Sequence, residues 1–270
     1  MQTMKQYKDQ LGREVVIPFP PRRIISVVPS QTELLFDLGL EAEVIGITKF
    51  CVHPEQWFRM KQRIGGTKQL QLEQILQLQP DLVIANKEEN TAADIQYLMK
   101  HVPVWVSDIK NLNDALDMIN CIGEITGTLQ RAHEITHSIS IKFSELLNQI
   151  KGTQKRPSAY FIWREPWMVA GGDTFINHLM GCCGLENVFA GTPRYPVVDI
   201  ADLPATKCQL ILLSSEPYPF KEQHITELSA VLPEAHILLV DGEMFSWYGS
   251  RLDKAADYLY RLWKDLCNCQ

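Results

Sequence analysis

TLQRAHEITHSISIKFSELLNQI, residues 128–150, is the stretch whose reading decides the fold. It contains no Gly or Pro, and its apolar positions Leu129, Ala132, Ile135, Ile139, Phe143, Leu146 and Ile150 recur at spacings of three or four. That is the period of one face of an α-helix. At 1.5 Å per residue the helix would run ~35 Å, long enough to bridge two lobes rather than cross one sheet. The chain therefore divides into an N-terminal lobe at 1–127, a connecting helix at 128–151 and a C-terminal lobe at 152–270.

On the N-terminal side, Tyr7 to Ile17 reads as a hairpin around Asp9-Gln10-Leu11-Gly12, and Pro18, Pro20 and Pro21 deliver the chain into a buried strand at Ile24 to Val28. Ser30-Gln31-Thr32-Glu33 has the S-x-x-E form of a capping box, so Ser30 and Glu33 are expected to satisfy free backbone donors of a helix that stops at Gly39. A strand at Val44 to Thr48 leads into a long loop through Phe58. A helix from Leu72 to Gln79, a strand Leu82 to Ala85, a helix Ala92 to Lys100, a strand Val104 to Val106 and a helix from the Asn113 cap to Gly127 complete the lobe.

After Lys151-Gly152 the alternation restarts. Strands are expected at Ala159 to Trp163, Gln209 to Leu213 and Ile237 to Val240, and helices from the Asp173 cap to Cys183, around Glu222 to Leu232, and from Ser250 to about Leu266. Leu72-Glu73-Gln74-Ile75 leading to Asp81-Leu82-Val83-Ile84 faintly parallels Ile200-Ala201-Asp202-Leu203 leading to Gln209-Leu210-Ile211-Leu212. The fold class is α/β: two lobes with parallel-rich sheets flanked by helices, joined by one long backbone helix, with a ligand cleft between the lobes.

Ligands of open α/β sheets sit outside the carboxyl ends of the strands. The loops expected there are aromatic: Phe50, His53, Trp57 and Phe58 in one, Trp163, Arg164, Glu165, Pro166 and Trp167 in a second, Asp241, Glu243, Phe245, Trp247 and Tyr248 in a third. Flat rings on loop tips can stack on a large planar ligand, or simply anchor the loops. Arg194 and Tyr195 join the candidate ligand set, while Trp105 and Trp263 are expected in the core.

The 270 residues carry a net charge of −6, which lacks the basic surface that nucleic acid or anionic lipid requires. No apolar run approaches the ~20 residues of a membrane helix. Met1 to Arg13 is polar where a secretory signal needs an apolar stretch, so either a signal has been trimmed or the protein stays inside. G-x-S-x-G, H-E-x-x-H, G-x-x-x-x-G-K-[ST] and G-x-G-x-x-G are all absent, which lowers the expectation of an enzyme.

Weaker features remain open. Gly171-Gly172-Asp173-Thr174 could offer amides to an anion or be a Gly turn with an Asp cap. His133 and His137 could share a metal or lie in solvent, and Cys51 with His53 could ligate or do nothing. Glu165 and Glu243 could be a carboxylate pair or surface salt links. Seven cysteines leave at least one unpaired in a monomer, and Cys267 and Cys269, a terminal C-x-C, could be a frayed tail with two thiols or, as the weaker reading, serve a metal.

Arg22-Arg23-Ile24-Ile25-Ser26-Val27-Val28-Pro29-Ser30-Gln31-Thr32-Glu33-Leu34-Leu35 resembles the opening of the helical-backbone substrate-binding proteins of ABC importers. Those proteins include receptors for cobalamin, haem and ferric siderophores. The likeness continues through Val44 to Thr48, Leu72-Glu73 to Ile84 and Gly171 to Phe175, and Glu186-Asn187-Val188-Phe189 is similar to the cobalamin-binding branch.

The resemblance implies non-catalytic capture of a metal chelate, cobalamin first, as ligand rather than cofactor, with no intrinsic metal or cofactor. Cleft aromatics would fall near Phe50, around Trp163 to Trp167 and at Phe245 to Tyr248; Arg164, Arg194 and Arg251 could instead suit an anionic siderophore. Of two glutamates that dock the family's receptors to a permease, Glu73 stands at the first position, whereas Ala201 occupies the second with Asp202 as neighbour. Cys183 with Cys267 would correspond to a disulfide of the cobalamin branch. The resemblance places the protein in the periplasm, delivering its ligand to an ABC permease. The alternatives are a cytoplasmic module that stores or hands over cobalamin, a haem or siderophore receptor, and an enzyme acting on a bound chelate through Cys51, His53 and Glu243.

Overall fold

The structure, a computed structural model, describes residues 3–268, which form two compact units. The first takes residues through Ile109, Asn113–Ser138 and Tyr248–Arg251, and the second takes Lys110–Leu112, Ile139–Trp247 and residues from Leu252 on.

The first unit opens with an antiparallel hairpin of β1 (Thr3–Lys8) and β2 (Glu14–Phe19). Its turn is organised by Asp9, whose buried carboxylate accepts from the Leu11 and Arg13 amides at 3.0 and 2.8 Å. Then come β3 (Ile24–Ser26), α1 (Pro29–Asp37), β4 (Val44–Ile47), α2 (Glu55–Met60), β5 (Gln62–Arg63), β6 (Gly65–Gly66), β7 (Gln69–Leu70), α3 (Leu72–Gln77), β8 (Leu82–Asn86), α4 (Ala92–Leu98), β9 (Val104–Ser107) and α5 (Leu112–Thr126). The sheet runs β5-β4-β3-β8-β9, parallel throughout. β3, β8 and β9 are buried along their whole length, as strands of a parallel sheet must be when covered on both faces.

α6 (Leu129–Ile150) is the long helix. Ala132, Ile135, Ile139, Phe143 and Leu146 are its buried stripe, and its residues belong to the first unit through Ser138 and to the second from Ile139. β10 (Arg156–Trp163), β11 (Met168–Val169), α7 (Phe175–Cys182), β12 (Leu185–Asn187), a 3-10 helix (Ile200–Thr206), β13 (Leu210–Ser214), α8 (Glu222–Val231), β14 (His236–Val240), α9 (Glu243–Ser246) and α10 (Leu252–Asn268) follow. In the second sheet β10, β13 and β14 are parallel neighbours, and β12 and β11 share the other edge of β10.

Both units thus place their first parallel strand inside, send the second to one side and the third to the other: β4-β3-β8-β9 and β12-β10-β13-β14. The faint repeat in the sequence maps onto this, since α3 precedes β8 and the 3-10 helix precedes β13. Each unit has its switch point beside its first strand, at the carboxyl ends of β3 and β8, and of β10 and β13, the place where open α/β sheets in general hold their ligands.

Three local expectations are corrected. α1 begins at Pro29, one residue before the anticipated Ser30 cap, because Pro serves as a first helical residue; Val28 is the N-cap and makes no side-chain cap bond. Glu33, released from capping, receives Arg251 Nε and Nη2 at 2.7 and 2.8 Å, both side chains being buried. Gly249, at φ +115°, makes this approach possible, for a Cβ there would stand 3.1 Å from the Ser30 carbonyl oxygen. The loop through Phe58 contains the helix α2, which buries Trp57. α7 is capped by Thr174, not Asp173: the Thr174 hydroxyl accepts from the Asn177 amide at 3.1 Å, while Asp173 accepts from the Arg194 amide.

Candidate ligand-binding site

In the second unit the loop after β10 carries Trp163, 40% exposed, with Arg164 and Trp167 half-buried. Trp163 meets Tyr218 edge-on at 5.7 Å, Trp167 stacks on Phe220 at 5.9 Å, and Tyr218 and Phe220 lie 4.8 Å apart. His224, buried on α8, accepts the Lys221 amide at Nδ1 (2.9 Å) and lies 3.3 Å from the Tyr218 hydroxyl through Nε2. These contacts make one aromatic wall at the carboxyl ends of β10 and β13.

Arg164 is held across this wall. Its Nε and Nη2 donate to Glu227 at 3.1 and 3.0 Å, it also pairs with Glu165, and its guanidinium lies 5.4 Å from the Trp167 ring. Hydrogen bonding to Glu227 raises its pKa. Arg194 is exposed, with its guanidinium 6.0 Å from the Tyr195 ring. The amides of Gly171 and Gly172 donate to the Arg194 and Thr192 carbonyls at 2.7 and 2.9 Å, so these two glycine amides are taken up within the fold.

Beside the wall is an open hollow of about 600 Å³, lined by Ser215, Glu216, Phe220, Leu239, Val240, Asp241 and Glu243. Phe220, Leu239 and Val240 are its apolar lining, and Glu216, Asp241 and Glu243 contribute three carboxylates. Phe245 is fully buried and Trp247 is 6% exposed, so neither is the free loop-tip ring the sequence suggested. The reason is α9: Phe245 packs on Tyr160 at 5.0 Å, and the Trp247 indole N–H donates to Glu216 at 2.8 Å.

In the first unit, Phe50 is 51% exposed and lies over Gly66, where a Cβ would stand 3.1 Å from its ring. His53 is half-buried and Tyr248 buried. Trp57 is fully buried edge-to-face on Phe36 at 5.4 Å, which makes it a core residue rather than a ligand contact. Beneath this loop Thr32 and Thr48 each contact the Cys51 sulfur at 3.1 Å. Burial raises the Cys51 pKa against the hydrogen bonds of those two threonines, which is the opposite of what a nucleophilic thiolate needs.

Glu73 is exposed in the first turn of α3, accepting from the Tyr97 hydroxyl at 3.3 Å, and Asp202 is exposed on the 3-10 helix. His133 and His137 are both exposed, and among the described residues no group of three or more metal-binding side chains exists. Trp105 is in the core as expected; Trp263 is only half-buried, stacked at 6.0 Å on Tyr260.

Cys183 and Cys267 are both free thiols in this structure, the first buried and donating to the Leu259 carbonyl at 3.3 Å, the second exposed. Cys269 lies outside the described residues. Burial pushes the Cys182 and Cys208 thiols up to about 11, and burial with the neighbouring Cys182 and Cys267 pushes Cys183 up to about 12. Each folded value lies above the ordinary thiol value of ~8.5, so the native state holds more protons than the unfolded chain between the two. Stability contributed by these thiols is whole below about pH 8.5 and is lost as pH rises towards 11 and 12. Reduced protein should therefore show a urea midpoint that falls steadily above pH 8.5, and Cys182, Cys183 and Cys208 should resist a thiol reagent at pH 8 while Cys267 reacts at once.

The residues that sequence reading missed follow β13: Ser215, Glu216, Tyr218, Phe220 and, further on, Glu227. A signal was present, because Glu216-Pro217-Tyr218-Pro219-Phe220 leaves a strand as an aromatic, proline-stiffened loop like the three that were noticed.

A family model described as periplasmic binding protein matches residues 24–228. The vitamin B12-binding protein of Vibrio parahaemolyticus is 25% identical over 197 residues, which is 72% of this chain and 71% of that one. Among solved structures, the periplasmic vitamin B12-binding protein of Vibrio cholerae superposes with a TM-score of 0.79 at 20% identity, covering 92% of this chain and 98% of that one. The periplasmic heme-binding protein of Roseiflexus sp. RS-1 does so with a TM-score of 0.78 at 21% identity, covering 90% and 98%. With residues 24–228 matched and the two-unit parallel-sheet architecture shared, the chain belongs to the periplasmic binding protein family.

Proposed function

We propose that this protein is the substrate-binding component of an ABC importer and that its ligand is cobalamin, bound without chemical change. The observation that carries the choice of ligand is the fate of the cations. Of the three arginines that could meet an anionic ligand, Arg164 is engaged by Glu227 through two nitrogens and Arg251 by Glu33 in the same way, so neither of these guanidinium groups is poised for a ligand carboxylate, and Arg194 lies exposed beside Tyr195. The hollow beside the aromatic wall is lined by the carboxylates of Asp241 and Glu243, and by Glu216, whose carboxylate is already engaged by Ser246 and Trp247. Such a surface suits an uncharged, amide-rich chelate, whose N–H groups can donate to carboxylates, and repels the propionates of haem or the carboxylates of a ferric siderophore. Among the described residues, Phe50 in the first unit and Trp163 in the second are exposed rings.

Delivery to a permease would use Glu73 on the first unit and Asp202 on the second, and the protein would work in the periplasm, where Cys183 and Cys267 would pair. No helix among the described residues is long and apolar enough to cross a membrane. Ala201, at the position where the family's second docking glutamate is expected, favours the other reading, a module that stores or hands over cobalamin without docking.

Tryptophan fluorescence separates the ligands. Titration with cyanocobalamin should give saturable quenching at micromolar concentration or below after inner-filter correction, and hemin and a ferric siderophore should give none. Saturation by hemin or the siderophore alone would transfer the assignment to that ligand, and no response to any of the three would end the chelate reading.

A further inference from the structure

The loops leaving β13 and β14 are fastened to each other by the side chains of Glu216 and Ser215. Glu216 Oε1 accepts from the Ser246 hydroxyl at 2.8 Å and from the Trp247 indole N–H at 2.8 Å, while Ser215 Oγ accepts the Gly242 amide at 2.9 Å. The approach is close enough to demand glycine: a Cβ on Gly242 would stand 2.4 Å from Ser214 Oγ and 2.6 Å from Glu216 Cγ. Beneath the junction the Tyr160 hydroxyl donates to Ser214 Oγ at 3.0 Å and Phe245 packs on the same tyrosine, which roots both loops in the sheet. Glu216, Ser215 and Glu243 of these loops also line the hollow.

We propose that Glu216 is a positioning residue for ligand binding: its carboxylate draws the loop after β13 onto α9, fixes the Trp247 indole and so sets the shape of the hollow before the ligand arrives. The inference rests on the reading that this hollow receives the ligand. Both hydrogen bonds are to one carboxylate and are charge-assisted, which makes them stronger and more directional than bonds to a neutral acceptor. Loops held in the bound arrangement lose less entropy on binding, and that saving appears as affinity. The sequence of events is tie first, ligand second, so the ligand-free protein already carries the signature.

The protein has six tryptophans, hence six indole N–H signals in a ¹⁵N-labelled sample, and Trp247→Phe identifies the one of interest. In ligand-free Glu216→Ala that signal should move upfield and exchange faster with solvent, whereas Glu216→Gln, which keeps an acceptor oxygen, should restore most of both. Affinity for cyanocobalamin should fall about tenfold in Glu216→Ala and comparably in Trp247→Phe, and the double variant should lose no more than either single one, since both remove the same tie. An indole signal indifferent to Glu216→Ala, or losses that multiply in the double variant, would overturn the proposal. If the wild-type protein binds no cyanocobalamin, the cobalamin assignment fails by itself and the indole signal still decides the role of Glu216.

Discussion

Arg251→Met should lower the equilibrium stability of the protein by about 3 to 5 kcal/mol, the usual effect of removing one partner from a buried ion pair. Glu33 and Arg251 are each 6% exposed, meet through two short bonds and are 218 residues apart in sequence. With methionine at 251 the Glu33 carboxylate would stay in the interior facing no guanidinium. The loss comes from that stranded charge rather than from the worth of the pair. The double variant Glu33→Leu with Arg251→Met should recover most of the stability, because two apolar groups of similar size need no partner. Urea unfolding of the two single variants and the double one reads this directly. Equal losses in the singles that add in the double would mean that the pair interacts with its surroundings more than with itself.

The second large effect separates two aromatic residues of one loop. Trp57→Ala should destabilise the fold by about 3 to 5 kcal/mol, as expected when a fully buried ring leaves a cavity. Phe50→Ala, seven residues earlier and half exposed, should leave stability within about 0.5 kcal/mol of wild type and lower affinity for cyanocobalamin about tenfold, the scale of one lost stacking contact. Denaturant midpoints and ligand titrations of both variants test the pair. A stable Trp57→Ala that fails only in binding would return Trp57 to the ligand set.

Much of the fold was legible because period and punctuation are local. The three-four spacing of Leu129 to Ile150 marks the long helix, the buried runs at Leu82 to Asn86 and Leu210 to Ser214 mark central parallel strands, and the Gly and Pro positions fall near the ends of these elements. Boundaries were less secure. Pro29 begins a helix that Ser30 was expected to cap, because Pro suits a first helical position as Ser suits a cap, and in the structure Thr32 in the first turn bonds back to Ser26 and Val28.

The site was legible as a set of loops but not as a set of contacts. Phe50 and Trp163 are exposed as a stacking ring should be, whereas Trp57, Phe245, Trp247 and Tyr248 are buried, and composition gives no hint of which ring a short helix will turn inward. Charge pairing was equally hidden. Glu33 with Arg251 and Arg164 with Glu227 join positions 218 and 63 residues apart, and no local pattern encodes such a pairing.

By itself, then, the sequence determined that this is an α/β protein with a long connecting helix, two similar parallel-sheet units and aromatic loops at the carboxyl ends of the strands. These follow from side-chain periodicity and turn chemistry, which act over a few residues. Only the tertiary structure decided which rings face solvent, which arginines are already neutralised and which carboxylate ties two loops together, because burial and electrostatic pairing depend on residues that meet only after the chain has folded.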